Sequence, residues 1–361
     1  MNAIDFLFDR EQQSSTLHTR YAKLKAEQNL RRREIAEALQ ISEAQLIDLQ
    51  CDVKSVRLNR EFGSLIGQLP SLGYIMTLTR NEYAVHERKG CYDNVTVNDA
   101  MALVIAPDRK IDLRILLHRW QHGFAVREPT DGGARYSLQF FDQSGTAIQK
   151  IYLQPESDQS AYAVLVQNFR AKDPHGVLAI SSVTEVLDYV GDAQVNIEQL
   201  AQEWSEMTDV HQFFGMLRRH KVGREQAFRL IGDRYAQPYD PAKMEHVLTQ
   251  AAKRQIPIMC FVGNAGNIQI HSGAVNTIKR MGPWLNILDS EFNLHLREDG
   301  VANAWLVRKP TADGVVTSLE LYDSQSRLVA QFFGVRGEGQ PENPLWRTLA
   351  ESVLRDRQRA A

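Results

Sequence analysis

Cysteine is scarce in this chain. Cys51, Cys91 and Cys260 stand far apart and odd in number, which argues against a disulfide framework and reads as free thiols. No C-x-x-C or C-x-x-C-H run occurs, so a zinc ribbon and a c-type cofactor attachment both lack their motif. Long apolar stretches are missing too. None approaches the roughly 20 residues needed to span a bilayer, and the start MNAIDFLFDREQQ lacks the basic end and apolar core of a signal peptide. The expectation is a cytoplasmic protein without membrane insertion. Neither sign of charge dominates: 42 Lys and Arg face 44 Asp and Glu, a net charge of -2. No overall field draws such a chain to nucleic acid or to an anionic membrane, so its partners are recognised locally. Dinucleotide and phosphate-loop fingerprints are also missing, so any redox chemistry takes its electrons from another protein or a diffusible reductant.

The 361 residues, 43% of them hydrophobic, suffice for a sizeable core and favour two domains. The chain is written twice. FAVREPTDGGARYSLQFFD (124–142) and WLVRKPTADGVVTSLELYD (305–323) share Val, Arg, Pro, Thr, Gly, Ser, Leu and Asp in register. Upstream, MTLTRNEYAVHERKG (76–90) aligns with MCFVGNAGNIQIHSG (259–273), keeping Met, Asn and Gly in place. A repeat about half the chain long means two related domains, expected at 1–178 and 179–361, with the turn-rich segment 170–182 as linker. Each copy reads as helices, then short strands, then a closing helix at 162–169 or 344–354. That order predicts α+β with antiparallel sheets, and the glycine turns at 131–133 and 312–314 predict hairpins.

Four stretches carry candidate chemistry. The apolar spacing of REIAEALQISEAQLIDL (33–49), with Ala36, Leu39, Ile41 and Leu46, suits a helix-turn-helix. Gln40 holds the usual turn-glycine position, however, and Glu43, Asp48 and Asp52 repel phosphates, so it reads as a helical pair packing on a sheet. HRWQH (118–122) spaces two histidines one helical turn apart; without further ligands they read as solvated helix-surface residues. GNAGN (263–267) reads as a β-turn between strands. The fourth stretch is WSEMTDVHQFFGMLRRH (204–220). As a helix it places Met207, Val210, Phe214 and Leu217 on one apolar stripe beside His211. The Asp209 to Gln212 spacing suits a capping box, which puts His211 in the first helical turn, where the macrodipole favours the neutral imidazole. Such a histidine is either a satisfied core residue or the ligand of an apolar molecule with a metal at its centre.

With MTDVHQFF (207–214) stand NEYAVHE (81–87), IDLR (111–114), FVGN (261–264), WLNI (284–287) and KPTADGVVTSLELY (309–322). Together they resemble the HemS/ChuS/HmuS family of cytoplasmic haem-utilisation proteins over nearly the whole chain. The resemblance implies a duplicated fold with stacked antiparallel sheets flanked by helices, binding haem b non-covalently. It makes His211 the proximal iron ligand and Arg114 the distal residue, with the haem between the halves. The family's pocket positions fall on Arg224, Phe261, Lys309, Gln331, Phe333 and Arg336. The two phenylalanines suit the macrocycle walls, and Arg224, Lys309, Gln331 and Arg336 suit the propionates. His86 matches a family histidine; it and His271 are the remaining candidates for a haem ligand. The implied activity is degradation of imported haem with electrons from an external reductase, releasing iron. The alternative is a carrier that takes haem from an inner-membrane importer to a separate haem oxygenase. Nucleic acid is not an expected partner.

Overall fold

The computed structural model describes residues 4–8, 16–28, 30, 32–49, 54–173, 177–182, 188–337 and 339–354; Cys51, Asp52 and residues 174–176 of the expected linker lie outside these. In the first half of the sequence the helices are α1 (Thr16–Gln28), α2 (Arg32–Leu39), α3 (Glu43–Asp48), α4 (Phe62–Gln68) and α5 (Gln159–Asn168). Its strands are β1 (Lys54–Arg57), β2 (Tyr74–Arg80), β3 (Ala84–Cys91), β4 (Val95–Val97), β5 (Met101–Ile105), β6 (Asp112–Leu116), β7 (His122–Thr130), β8 (Gly133–Phe141) and β9 (Ala147–Leu153). The second half carries α6 (Ile197–Ser205), α7 (Gln212–His220), α8 (Arg224–Ile231), α9 (Lys243–Lys253) and α10 (Pro344–Glu351). Its strands are β10 (Ala236–Tyr239), β11 (Ile258–Gly263), β12 (Asn267–Gly273), β13 (Ile278–Met281), β14 (Trp284–Leu288), β15 (Phe292–Arg297), β16 (Asn303–Thr311), β17 (Gly314–Tyr322) and β18 (Leu328–Gly334).

The strands form two nine-stranded antiparallel sheets, the α+β class expected. The duplication is visible in hydrogen-bond order. The first half gives β1-β7-β8-β9-β2-β3 and β6-β5-β4, and the second gives β10-β16-β17-β18-β11-β12 and β15-β14-β13. Hairpins close where the glycines predicted them, with Thr130 opposite Gly133 and Thr311 opposite Gly314. Those glycines sit at φ 128° and 113°, a region that side chains strain.

Sequence alternation decides which face each strand buries. Leu306, Leu319, Phe332 and Cys260 join Met244, Val247 and Trp346 of α9 and α10 in one cluster. The neighbours Trp305, Val307 and Tyr322 join Trp204, Phe213 and Phe228 of α6, α7 and α8 in another. With both faces covered, β17 reads as a nearly continuous buried run. Cys91 and Cys260 are free thiols. No described helix is long and apolar enough to cross a membrane.

The chain forms two compact units. One comprises Met1–Arg80, Glu87–Thr184 and Asn264–Gln269; the other comprises Asn81–His86, Glu185–Gly263 and Ile270–Ala361. Each unit is thus completed by a short turn segment from the other half of the sequence. The register-matched asparagines of the repeat anchor these segments. Asn81 donates to the carbonyls of Gly263 and Val329, while its own oxygen accepts from the amides of Tyr83 and Ala84. Asn264 donates to the carbonyls of Arg80 and Ile148 and accepts from Gly266 and Asn267. Each side chain makes four hydrogen bonds, each worth roughly 0.5–1.5 kcal/mol net. Asn81→Ala and Asn264→Ala are therefore each expected to cost about 2–3 kcal/mol, read as lowered urea midpoints; an unchanged midpoint in either would deny the anchor.

Two local readings change, and that of 33–49 holds. HRWQH forms no helix: His118 lies in a 3-10 turn, Leu117–Arg119, and His122 opens β7, buried. Tertiary contacts override the spacing, because Trp120 donates to the Gly266 carbonyl and packs on Phe140, and Gln121 pairs with Phe141. The 204–220 stretch is two helices rather than one. Its break sets Phe213, Met216 and Leu217 inward with Trp204 and Met207, and leaves Phe214 of the expected stripe 64% exposed. The 33–49 pair is two short helices, with Ala44 and Ile47 of α3 packed against Phe124, Val126 and Phe141 of the sheet. Gln40 takes the left-handed turn conformation, φ 58°, and Lys221 takes it between α7 and α8, φ 52°. The helical pair is thus part of the duplicated unit, repeated in both copies.

Candidate functional site

In the second unit, cross-strand register brings several of the expected residues onto one sheet face. Phe261 on β11 lies opposite Gln331 on β18, and Gln331 lies opposite Glu320 on β17. Phe333 lies two residues on, and its ring meets that of Phe261 at 5.1 Å, edge-on. Lys309 of β16 points to the same side, its Nζ 4.7 Å from the Phe213 ring centroid and 5.9 Å from that of Phe333. Arg224 enters as the first residue of α8, its guanidinium 5.1 Å from the Phe213 ring.

A residue not picked out from sequence organises this cluster. Glu320 is fully buried and accepts from Lys309 Nζ at 2.7 Å, Arg224 Nη2 at 2.7 Å, Ser318 Oγ at 2.9 Å and the Tyr322 hydroxyl at 2.6 Å. The Tyr322 hydroxyl in turn accepts from Arg224 Nε at 3.0 Å. Burial by itself raises the carboxyl pKa, but Arg224 and Lys309 outweigh it and hold Glu320 far below the usual carboxylate range. Arg224 and Lys309, expected at the propionates, therefore already share one carboxylate, and the three groups together carry a single positive charge. The signal was a lone acid in SLELY, flanked by two leucines of a buried strand.

His211 stands at the N-cap position of α7, one residue short of the expected first turn, and its side chain makes no capping hydrogen bond. Its imidazole is 91% exposed, and Nδ1 lies 2.7 Å from Asp209 Oδ1. The same oxygen accepts the His211 backbone N–H at 2.8 Å. Gln212 Oε1 accepts the amides of Thr208 and Asp209, so the Asp209 to Gln212 spacing does close the helix start. The hydrogen bonds from His211, with the charge of Arg336 behind them, hold the Asp209 carboxyl below its ordinary range. Arg336 itself lies 3.7 Å from Asp313.

Arg114 belongs to the first unit. On β6 it lies between Leu103 of β5 and Ile268. Met101, Leu103, Ile105 and Leu116 are half-exposed on these strands, and Ile268 is 38% exposed, so the guanidinium stands on an open apolar face. Buried Asp112, two residues earlier on the same face of the strand, accepts from Arg114 and from Arg109. His86 and His271 are placed elsewhere. Both are buried, with the His271 ring stacked on Phe292 at 3.8 Å and His86 5.0 Å from that ring.

The first unit's copy of the second unit's site has diverged. At the distance before Gln40 at which His211 precedes Lys221 stands Leu30. Glu128 takes the place of Lys309 and is bound by Arg32 and Arg135, while Glu43 at the head of α3 is bound by Arg80. Among the described residues, no cluster of three or more His, Cys, Asp or Glu could hold a bare metal ion.

Comparison with known proteins agrees with this duplicated architecture. The haemin-degrading HemS/ChuX domain family matches the chain at residues 40–169 and again at 221–353. The hemin transport protein HmuS of Yersinia pestis is 38% identical over 346 residues, 95% of this chain and 99% of that protein. Holo-PhuS, a haem-binding protein from Pseudomonas aeruginosa, superposes with a TM-score of 0.90 at 42% identity, covering 93% of this chain and 98% of that one. The haem-degrading enzyme ChuS of Escherichia coli O157:H7 gives 0.86 at 36% identity over the same shares. Two family matches along one chain, with relatives aligned nearly end to end, make this protein a member of the haemin-degrading HemS/ChuX family.

Proposed function

We propose that this chain binds haem b for iron acquisition, with His211 as the proximal ligand, and degrades it with electrons from an external reductase. One observation carries the reading: an imidazole 91% exposed whose Nδ1 is engaged by a carboxylate, which leaves Nε2 directed outward for a metal. The relatives named for binding, transporting or degrading haem support it, as does Leu30 in the first copy, which leaves one such histidine per chain.

The donor set fits haem. Phe261 and Phe333 suit an apolar disc, and the single net charge of Arg224, Lys309 and Glu320 suits a propionate. Gln331 and Arg336 would contribute an amide and a further cation to the propionates. Bound haem supplies the iron that activates dioxygen. His211 would orient it, and Arg114, permanently protonated, would offer N–H donors, from an apolar face where negative charge is poorly solvated, to charge that develops in the reaction. A carrier that passes haem from an inner-membrane importer to a haem oxygenase is the second reading. The exposure of His211 favours it, since a single accessible protein ligand is easily exchanged.

Titration of the purified protein with haem is expected to give one equivalent per chain with a sharp Soret band. His211→Ala should weaken binding by more than the roughly 10 to 100-fold that loss of a ligand's outer partner costs, and shift the band. Unchanged affinity and spectrum in the variant would move the ligand to another residue.

A further inference from the structure

Asp209 has the position to do more than start a helix. Its Oδ1 receives two hydrogen bonds, from the His211 backbone N–H at 2.8 Å and from the ring Nδ1 at 2.7 Å. The carboxylate is thus tied to the backbone of the residue whose ring it holds. The ring itself touches little else, being 91% exposed, so Asp209 supplies the direct restraint on its rotation. An exposed side chain otherwise loses rotamer freedom on binding a ligand. We infer that Asp209 is a positioning residue for His211: it presets the ring with Nε2 outward and, by accepting a hydrogen bond from Nδ1–H, makes the imidazole a stronger electron donor to iron.

The inference rests on the proposed role of His211 and follows from elementary acid-base chemistry. A carboxylate hydrogen-bonded to Nδ1–H draws that proton toward itself and leaves more negative charge on the ring. More charge at Nε2 strengthens the bond to a cationic metal and favours its higher oxidation state. A neutral residue that still accepts the backbone N–H would keep the turn and weaken the donation, since an amide oxygen is a poorer acceptor than a carboxylate. Asparagine is such a residue, and it is a favoured one at helix starts.

The test is Asp209→Asn in the full-length, haem-loaded protein, compared with wild type and His211→Ala. Resonance Raman of the ferrous form reads the iron–imidazole stretching band, and a redox titration reads the midpoint potential. The expected result is a lower stretching frequency, a more positive potential and haem affinity weakened by roughly 10-fold, the low end for loss of such a partner. Asp209→Asn with bound haem, an unchanged band and an unchanged potential would reduce Asp209 to a turn residue and overturn the inference. A wild-type band that survives His211→Ala would overturn it differently, by removing His211 as the ligand.

Discussion

Arg114→Ala is expected to slow haem breakdown by roughly 100 to 1,000-fold, the usual cost of losing one preorganised donor to a developing negative charge. Most of the haem affinity should remain. The division of labour follows from where the residues sit. His211, the phenylalanines and the Arg224–Lys309–Glu320 cluster belong to the second unit, whereas Arg114 belongs to the first. Its guanidinium is held by buried Asp112 and flanked by half-exposed Leu103 and Ile268, so alanine leaves the strand and its apolar neighbours in place. Wild type and variant should be loaded with haem and given the same reductant and oxygen, with catalase to remove free peroxide and mass spectrometry to identify the product. Equal bleaching seen only without catalase would mean peroxide damage and no catalytic role for Arg114. No tetrapyrrole cleavage product from wild type, with prompt transfer of haem to an apo-oxygenase, would establish the carrier reading instead.

The duplication, the α+β class and the hairpin turns were legible because they rest on short-range signals: matched motifs, alternating strands and glycines at positive φ. What escaped was set at long range. HRWQH has helical spacing, but Trp120 is claimed by a carbonyl 146 positions away, and the segment enters a strand. The two-helix form of 204–220 depends on Asp209 and Gln212 folding back on the backbone, which outcompetes a continuous apolar stripe. The exchanged turn segments were visible as a pair of aligned asparagines, Asn81 and Asn264, but their partners lie up to 248 positions away in sequence. Among the site residues, those with an outward ring or a lone cation were named from the family resemblance. The carboxylates that hold them, Asp112, Asp209 and Glu320, were not: Asp112 and Glu320 read in sequence as ordinary acids until their partners are seen, and Asp209 reads only as a helix start.

Of those three, Glu320 should matter most to stability. Glu320→Ala is expected to cost about 3–5 kcal/mol, the range for removing one partner of a buried ion pair. The Lys309 side chain is only 4% exposed, so without Glu320 its ammonium has no charge partner in the cluster; the Arg224 side chain, 27% exposed, keeps some contact with water and adds less. The Ser318 and Tyr322 hydroxyls lose their shared acceptor as well. The pH dependence has a definite sign. Because the folded-state pKa of Glu320 is depressed below its unfolded value, its stabilisation is fully present above the unfolded pKa of roughly 4.3. It is lost only as pH falls toward the depressed folded value. The gap in urea midpoint between wild type and Glu320→Ala should therefore be as wide at pH 5 as at pH 7, and narrow only in stronger acid. The double variant Glu320→Leu with Lys309→Met, which removes both charges at similar volume, should recover much of the loss. A double variant as unstable as Glu320→Ala would show that the charge on Lys309 is not the source of the cost, and that Arg224 or the hydroxyls depend on Glu320 instead.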